Sequence, residues 1–217
     1  VSKGGQGAPL VPIGDRHLFA DYPICLNIGG IANVSYEMNG KRIAYDICMA
    51  NQLLNYLANK LGYDYDKNGQ FAKRGNINKV LFEILNDNEY YKHDAPKSLG
   101  REFFENVQHK VIDESSLPVY DLLATATEHI AYQIAKSVDV LDKSKMLVTG
   151  GGAKNDFLIE RICALSKHEI IVPDVMITDY KEALIFAFLG VLKMEGKINV
   201  LSSVTGASSD SSSGKIY

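Results

Sequence analysis

The feature that most constrains this chain is the dipeptide Asn39-Gly40, set between two runs of β-forming residues. Asn-Gly suits the two-residue type I′ turn, whose twist matches that of the strands it joins. The upstream run from Ile31 to Met38 and the downstream run from Lys41 to Ile47 are therefore expected to pair as a hairpin. Ahead of them Ile24, Leu26 and Ile28 alternate as a half-buried strand does. Gly29-Gly30 is expected to turn this first strand into the second, with positive φ and with backbone N–H groups left open. Asp46 falls near the end of the third strand. Three antiparallel strands with a glycine turn at one end occur around phosphates and as plain architecture, and this stretch by itself leaves both readings open.

The chain has 217 residues, 46% hydrophobic and 23% charged, enough for one or two globular domains with a sizeable core. A formal net charge of −3 gives no basic footprint for nucleic acid. No apolar run reaches the ~20 residues of a membrane span, and no signal-peptide pattern opens the chain. Cys25, Cys48 and Cys163 are odd in number and scattered among apolar residues, so each is expected as a buried reduced thiol in a cytoplasmic protein.

Residues 3–12, KGGQGAPLVP, read as a loop by composition, either a flexible lead-in or a segment whose glycines let the backbone approach a ligand. After the strands, Asn51 is expected to cap a helix running to Leu61, with Leu53, Leu54, Leu57 and Leu61 on one face. Asp64, Asp66, Asn68 and Gly69 resemble a calcium loop, but Gly75 stands where the bidentate glutamate belongs, so no calcium site is expected. A short helix over 76–85 is expected to turn Ile77, Val80, Leu81 and Ile84 inward. Another should start near Gly100, and a long amphipathic one should span about 119–138. Lys145 to Thr149 reads as a buried strand entering Gly150-Gly151-Gly152-Ala153-Lys154-Asn155 and then a helix to Leu165. Strand, glycine turn and helix N-terminus can hold an anion or a nucleotide, although neither the dinucleotide fingerprint nor a Walker loop is present. A further strand over 169–173 precedes an apolar helix over 181–194 with Glu182 in its first turn, where a carboxylate commonly serves the macrodipole. Ser208 to Gly214 reads as a mobile loop.

This order of elements fits a ribonuclease H-like α/β layer, three antiparallel strands extended by parallel ones through helical crossovers. Nucleases of that layout gather carboxylates for two metal ions. Here the opening strands offer only Glu37 and Asp46, which favours the kinase and ATPase branch, where glycine turns surround phosphates.

Several segments resemble the anhydro-N-acetylmuramic acid kinases of the actin, heat-shock chaperone and sugar kinase superfamily. They are Gly4-Gly5-Gln6-Gly7-Ala8-Pro9-Leu10-Val11-Pro12, Leu26 to Asn33, Lys97-Ser98-Leu99-Gly100-Arg101-Glu102, Gly150 to Ala153 with Asn155, Glu182-Ala183 with Phe186-Ala187, and Val204 to Ala207. The resemblance implies an enzyme that phosphorylates 1,6-anhydro-N-acetylmuramic acid with ATP, Mg2+ and water to give N-acetylmuramic acid 6-phosphate in cell-wall recycling. It implies Asp46 as the catalytic base that activates the water. Gly29, Gly30 and Asn33 would belong to a phosphate loop, and Gly150, Gly151 and Gly152 with Asn155 to the adenosine side. Gln6, Gly7, Ala8 and Glu182 would face the sugar. No protein-held metal ligand is implied. The partners are ATP and an amino sugar, with no nucleic acid and no membrane, and a homodimer is allowed.

By the same resemblance the chain corresponds to a C-terminal portion, since the family's first Gly-Thr-Ser phosphate turn has no counterpart here. Residues 1–23 are expected as a substrate-side loop and lead-in, and residues 24–217 as one nucleotide-binding domain with a helical insertion over about 63–118. Where the family reads Asp-Thr-Gly-Pro-Gly-Asn, this chain has Asp46-Ile47-Cys48-Met49-Ala50-Asn51. Bulkier side chains in place of those glycines are expected to hold the backbone away from a ligand. That departure supports an alternative, a non-catalytic nucleotide-binding or oligomerising module of the same fold.

Overall fold

The computed structural model describes residues 3–216. Its sheet is built from β1 (Ile24–Ile28), β2 (Ile31–Met38), β3 (Lys41–Met49), β4 (Lys145–Thr149) and β5 (Glu169–Ile171), in the order β3-β2-β1-β4-β5. β1, β2 and β3 are antiparallel, whereas β4 runs parallel to β1 and β5 parallel to β4. This is the expected ribonuclease H-like layer. Asn39 (φ 52°) and Gly40 (φ 73°) form the turn between β2 and β3, both in the left-handed region that a type I′ turn requires.

Alternation along the strands divides the core. Ile24, Leu26, Met146 and Val148 face one side, where they meet α2 (Asn51–Asn59), α6 (Val119–Val138) and α7 (Asp156–Leu165). Cys25, Ala44 and Leu147 face the other, where they meet α1 (Pro12–Leu18), α8 (Val175–Met194) and α9 (Ser202–Thr205). Between α2 and α6 lie α3 (Lys79–Asn86), α4 (Arg101–Phe103) and α5 (His109–Asp113). No described helix is long and apolar enough to cross a membrane.

Several local expectations change. Gly29 and Gly30 join β1 to β2 without positive φ. Their carbonyls cap α2 instead: Asn51 N–H donates to Gly29 O (3.1 Å), and Ala50 and Gln52 N–H donate to Gly30 O (2.8 and 3.2 Å). Asn51 is thus the first residue of α2 and not its cap, and its side-chain amide donates to Ile28 O. In α3 the buried residues are Leu81 and Leu85, while Val80 and Ile84, and Ile77 ahead of the helix, are exposed. α8 begins six residues earlier than expected because Asp174 accepts from Ile177 N–H as its N-cap, so Glu182 lies beyond the first turn. Residues 12–18, expected as part of the lead-in, form α1, with Pro12 in its first turn and Ile13 buried. Cys25 and Cys48 are buried, but Cys163 is exposed on α7. The 208–214 segment is tied down by an isolated bridge from Val200 to Ser211 and by Ser213 N–H donating to Asn199.

Candidate active site

A cavity of about 760 Å³ opens between the sheet, the N-terminal loop and the first turns of α8. Gln6 and Ala8 enter it from the loop, Asn33 and Asp46 from the β2–β3 hairpin, Gly150 from the end of β4 and Glu182 from α8. Residues expected to serve sugar, water and nucleotide therefore share one chamber. Gly7 (φ 79°) bends the loop between two lining residues without lining the cavity itself. Gln6 N–H donates to Thr205 O (2.9 Å), which pins the loop to α9.

Asp46 owes its position to a β-bulge. Asn33 pairs with Asp46 and Ala32 with Cys48, so Ile47 is the extra residue on β3. Up to the bulge, alternation turns Arg42, Ala44 and Asp46 to one side of the sheet. Beyond it Ile47, Cys48 and Met49 all join the opposite core. The bulky residues after Asp46 are accordingly buried, and their side chains do not line the cavity. Asp46 is clamped by the segment before α4: Leu99 N–H donates to Asp46 Oδ2 (2.9 Å), and Asp46 N–H donates to Lys97 O (3.3 Å). Tyr90 O–H donates to Asp46 O. Burial raises the Asp46 carboxyl above its usual value, and the Leu99 N–H partly offsets this. A carboxylate so placed is a better proton acceptor than an exposed one.

The glycine turns after β1 and β4 sit side by side. A Cβ on Gly150 (φ 85°) would lie 2.6 Å from Asn27 Oδ1, and one on Gly152 would lie 2.2 Å from Ile28 Cγ2. These two glycines are required by packing. Gly29, Gly30 and Gly151 are different: an added Cβ would meet only ordinary contacts at 3.5 Å or more. Nothing in the chain demands glycine there, whereas close approach of a ligand to the backbone would. Gly151, Lys154 and Asn155 border a second hollow of about 410 Å³ together with Asn51, Tyr65 and Asn68. A 3-10 turn, Gly151–Lys154, separates the glycines from α7, and Asn155 Oδ1 accepts from Leu158 N–H as the α7 N-cap (3.0 Å). Gly29, Gly30, Gly151, Gly152 and Asn155 lie outside the lining of the main cavity.

Sequence reasoning passed over much of the cavity wall. Lys97 and Ser98 line it beside Asp46, in a motif noted without a role. Asp15 and Lys181 line it as well, as a buried pair at 2.7 Å. Ser35 O–H donates to Asp15, and Arg42 Nη2 donates to Ser35 Oγ (2.7 Å). Charged residues inside apolar helices were the available signal, because such residues are rarely buried without partners. Among the described residues no group of three His, Cys, Asp or Glu could hold a metal ion.

Sheet order and cleft together define an actin-type ATPase fold. Solved structures share it: the activator of the 2-hydroxyisocaproyl-CoA dehydratase from Clostridium difficile, with bound ADPNP, superposes with a TM-score of 0.52 at 19% identity, covering 81% of this chain and 63% of that one. Component A of the (R)-2-hydroxyglutaryl-CoA dehydratase from Acidaminococcus fermentans gives 0.51 at 17% identity, with the same coverage. Within that class, the model of the anhydro-N-acetylmuramic acid kinase family matches residues 1–217, and the chain belongs to this family. Curated relatives of that name from Actinobacillus pleuropneumoniae serotype 3 and Photobacterium profundum are each 36% identical over the whole of this chain, as is one from Vibrio cholerae. The chain spans 62–63% of their lengths.

Proposed function

We propose that this chain carries the catalytic base, the sugar-side loop and part of the nucleotide site of an ATP-dependent kinase that converts 1,6-anhydro-N-acetylmuramic acid and water to N-acetylmuramic acid 6-phosphate. The observation that carries this reading is the meeting of Asp46 with Gln6, Ala8 and Glu182 in one cavity that Gly150, at the end of β4, also lines. ATP fits the residues present, because Gly30 and Gly151 offer backbone where a phosphate can come close and the 410 Å³ hollow lies next to Gly151. When bound, ATP supplies the phosphoryl group, with Mg2+ held by phosphate oxygens and water as such sites commonly arrange it.

Asp46 takes the proton of the water that opens the anhydro bridge. Its base strength comes from burial, and its aim from the Leu99 N–H. Glu182 and the Gln6–Gly7–Ala8 loop hold the sugar. The buried Asp15–Lys181 pair fixes α8, and with it Glu182, against α1. Transfer of labelled phosphate from ATP to 1,6-anhydro-N-acetylmuramic acid by the complete gene product tests the proposal. ATP binding without any transfer would favour the non-catalytic module instead.

A further inference from the structure

Asp179 and Lys154 border two different chambers and are bonded to each other. Asp179 lines the main cavity together with Glu182, three residues further along α8. That spacing puts both carboxylates on one side of the helix. Lys154 ends the 3-10 turn after β4 and borders the second hollow beside Gly151. Its Nζ lies 2.6 Å from one Asp179 carboxylate oxygen and 2.8 Å from the other. Main chain joins the same two elements, since Gly150 N–H donates to Thr178 O (3.2 Å). Turn and helix therefore have a joint that does not depend on the ion pair.

Stability does not account for the pair. The Lys154 and Asp179 side chains are 53% and 34% exposed, and ion pairs in contact with solvent contribute little to folding. What the pair does is occupy both partners. While it stands, the ammonium is committed to a carboxylate and withheld from the hollow, and both Asp179 oxygens are withheld from the cavity. A lysine ammonium is a common phosphate ligand, and a polyphosphate carries more charge than the single carboxylate it would replace. A carboxylate released by that exchange is an acceptor for sugar hydroxyls.

We propose that Asp179 is a sugar-binding residue that Lys154 holds in reserve until a nucleotide phosphate draws the lysine away. This rests on the reading of the main cavity as the sugar site and of the hollow beside Gly151 as the nucleotide site. Each ligand then favours the state in which the pair is broken, so each tightens the binding of the other by the same factor.

Titration calorimetry of the complete gene product with 1,6-anhydro-N-acetylmuramic acid, alone and with a saturating non-hydrolysable ATP analogue, tests this. Sugar affinity should rise about tenfold with the analogue present, and analogue affinity should rise equally with the sugar present. Lys154→Met should bind the sugar tightly without any nucleotide. Asp179→Asn should bind it weakly with or without one. Both changes break the same ion pair, so a purely structural pair would shift sugar affinity the same way in each. A parent protein that binds both ligands without coupling overturns the proposal and leaves the kinase reading standing. So does coupling that survives in Asp179→Asn, or a Lys154→Met protein that binds the sugar no tighter than the parent does. A parent that fails to bind either ligand overturns the kinase reading itself, and this inference with it.

Discussion

At the scale of single residues, Asp46 separates chemistry from stability. Its folded-state carboxyl is held above 3.8 by burial, so the folded chain gains from the protonated form. That stability is present below pH 3.8 and is lost as pH rises through the raised value. Asp46→Asn, which cannot ionise, should therefore melt no lower than the parent at neutral pH, and any advantage should vanish below about pH 3.8. In the complete gene product the same change should cost ~10²–10⁴ in turnover while ATP binding persists. Calorimetry and single-turnover rates on the same preparations check both halves. The glycines differ in the same manner. Gly151→Val should weaken ATP binding with little change in melting temperature, whereas Gly152→Val, driven into Ile28, should lower the melting temperature by several degrees.

At the scale of elements, a buried histidine dominates the acid response of α6. His129 Nδ1 donates to Asn86 Oδ1 (2.8 Å), which leaves Nε2 to accept from Tyr91 O–H (3.2 Å), and burial lowers its pKa from 6.5 to about 3. The neutral ring contributes stability that is complete above pH 6.5 and is lost as pH falls towards 3. Stability should decline by roughly 1.4 kcal/mol per pH unit across that window, and His129→Gln should flatten the slope measured by urea titration. Elements with strong local signals were legible from the sequence. The Asn39-Gly40 turn formed where the dipeptide stands, and α6 runs from Val119 to Val138 as its stripe implied. Features decided by a partner were not legible. The bulge at Ile47 exists only relative to β2, and it sends Cys48 and Met49 into the core instead of towards the cavity. In α3, two alternative apolar stripes compete. Packing on α6 selects Leu81 and Leu85 and leaves Val80 and Ile84 outside. The start of α8 was missed because Asp174, just past the strand expected over 169–173, was not read as a helix cap.

At the scale of the molecule, the sheet separates two unequal cores, and the smaller one encloses charge. Lys181 and Asp15 are each about 5% exposed, with Arg42 close by. Lys181→Met should destabilise by ~3–5 kcal/mol, because it leaves Asp15 buried with less compensation. Asp15→Asn combined with Lys181→Met should recover part of the loss, as measured by chemical denaturation.

The Gly29-Gly30 turn carries a further consequence. In a trans peptide the C=O and N–H point in opposite directions. Since Gly29 O is committed to the first turn of α2, the Gly30 N–H of that same peptide must point away from the helix, towards open solvent. One rigid plane thus has a helix on one edge and a vacant donor on the other. An anion held by that donor immobilises the carbonyl behind it, so occupancy of the turn and fraying of α2 are thermodynamically linked. Hydrogen exchange at Ala50, Asn51 and Gln52, measured with and without ATP, should slow on binding even though these amides touch no ligand.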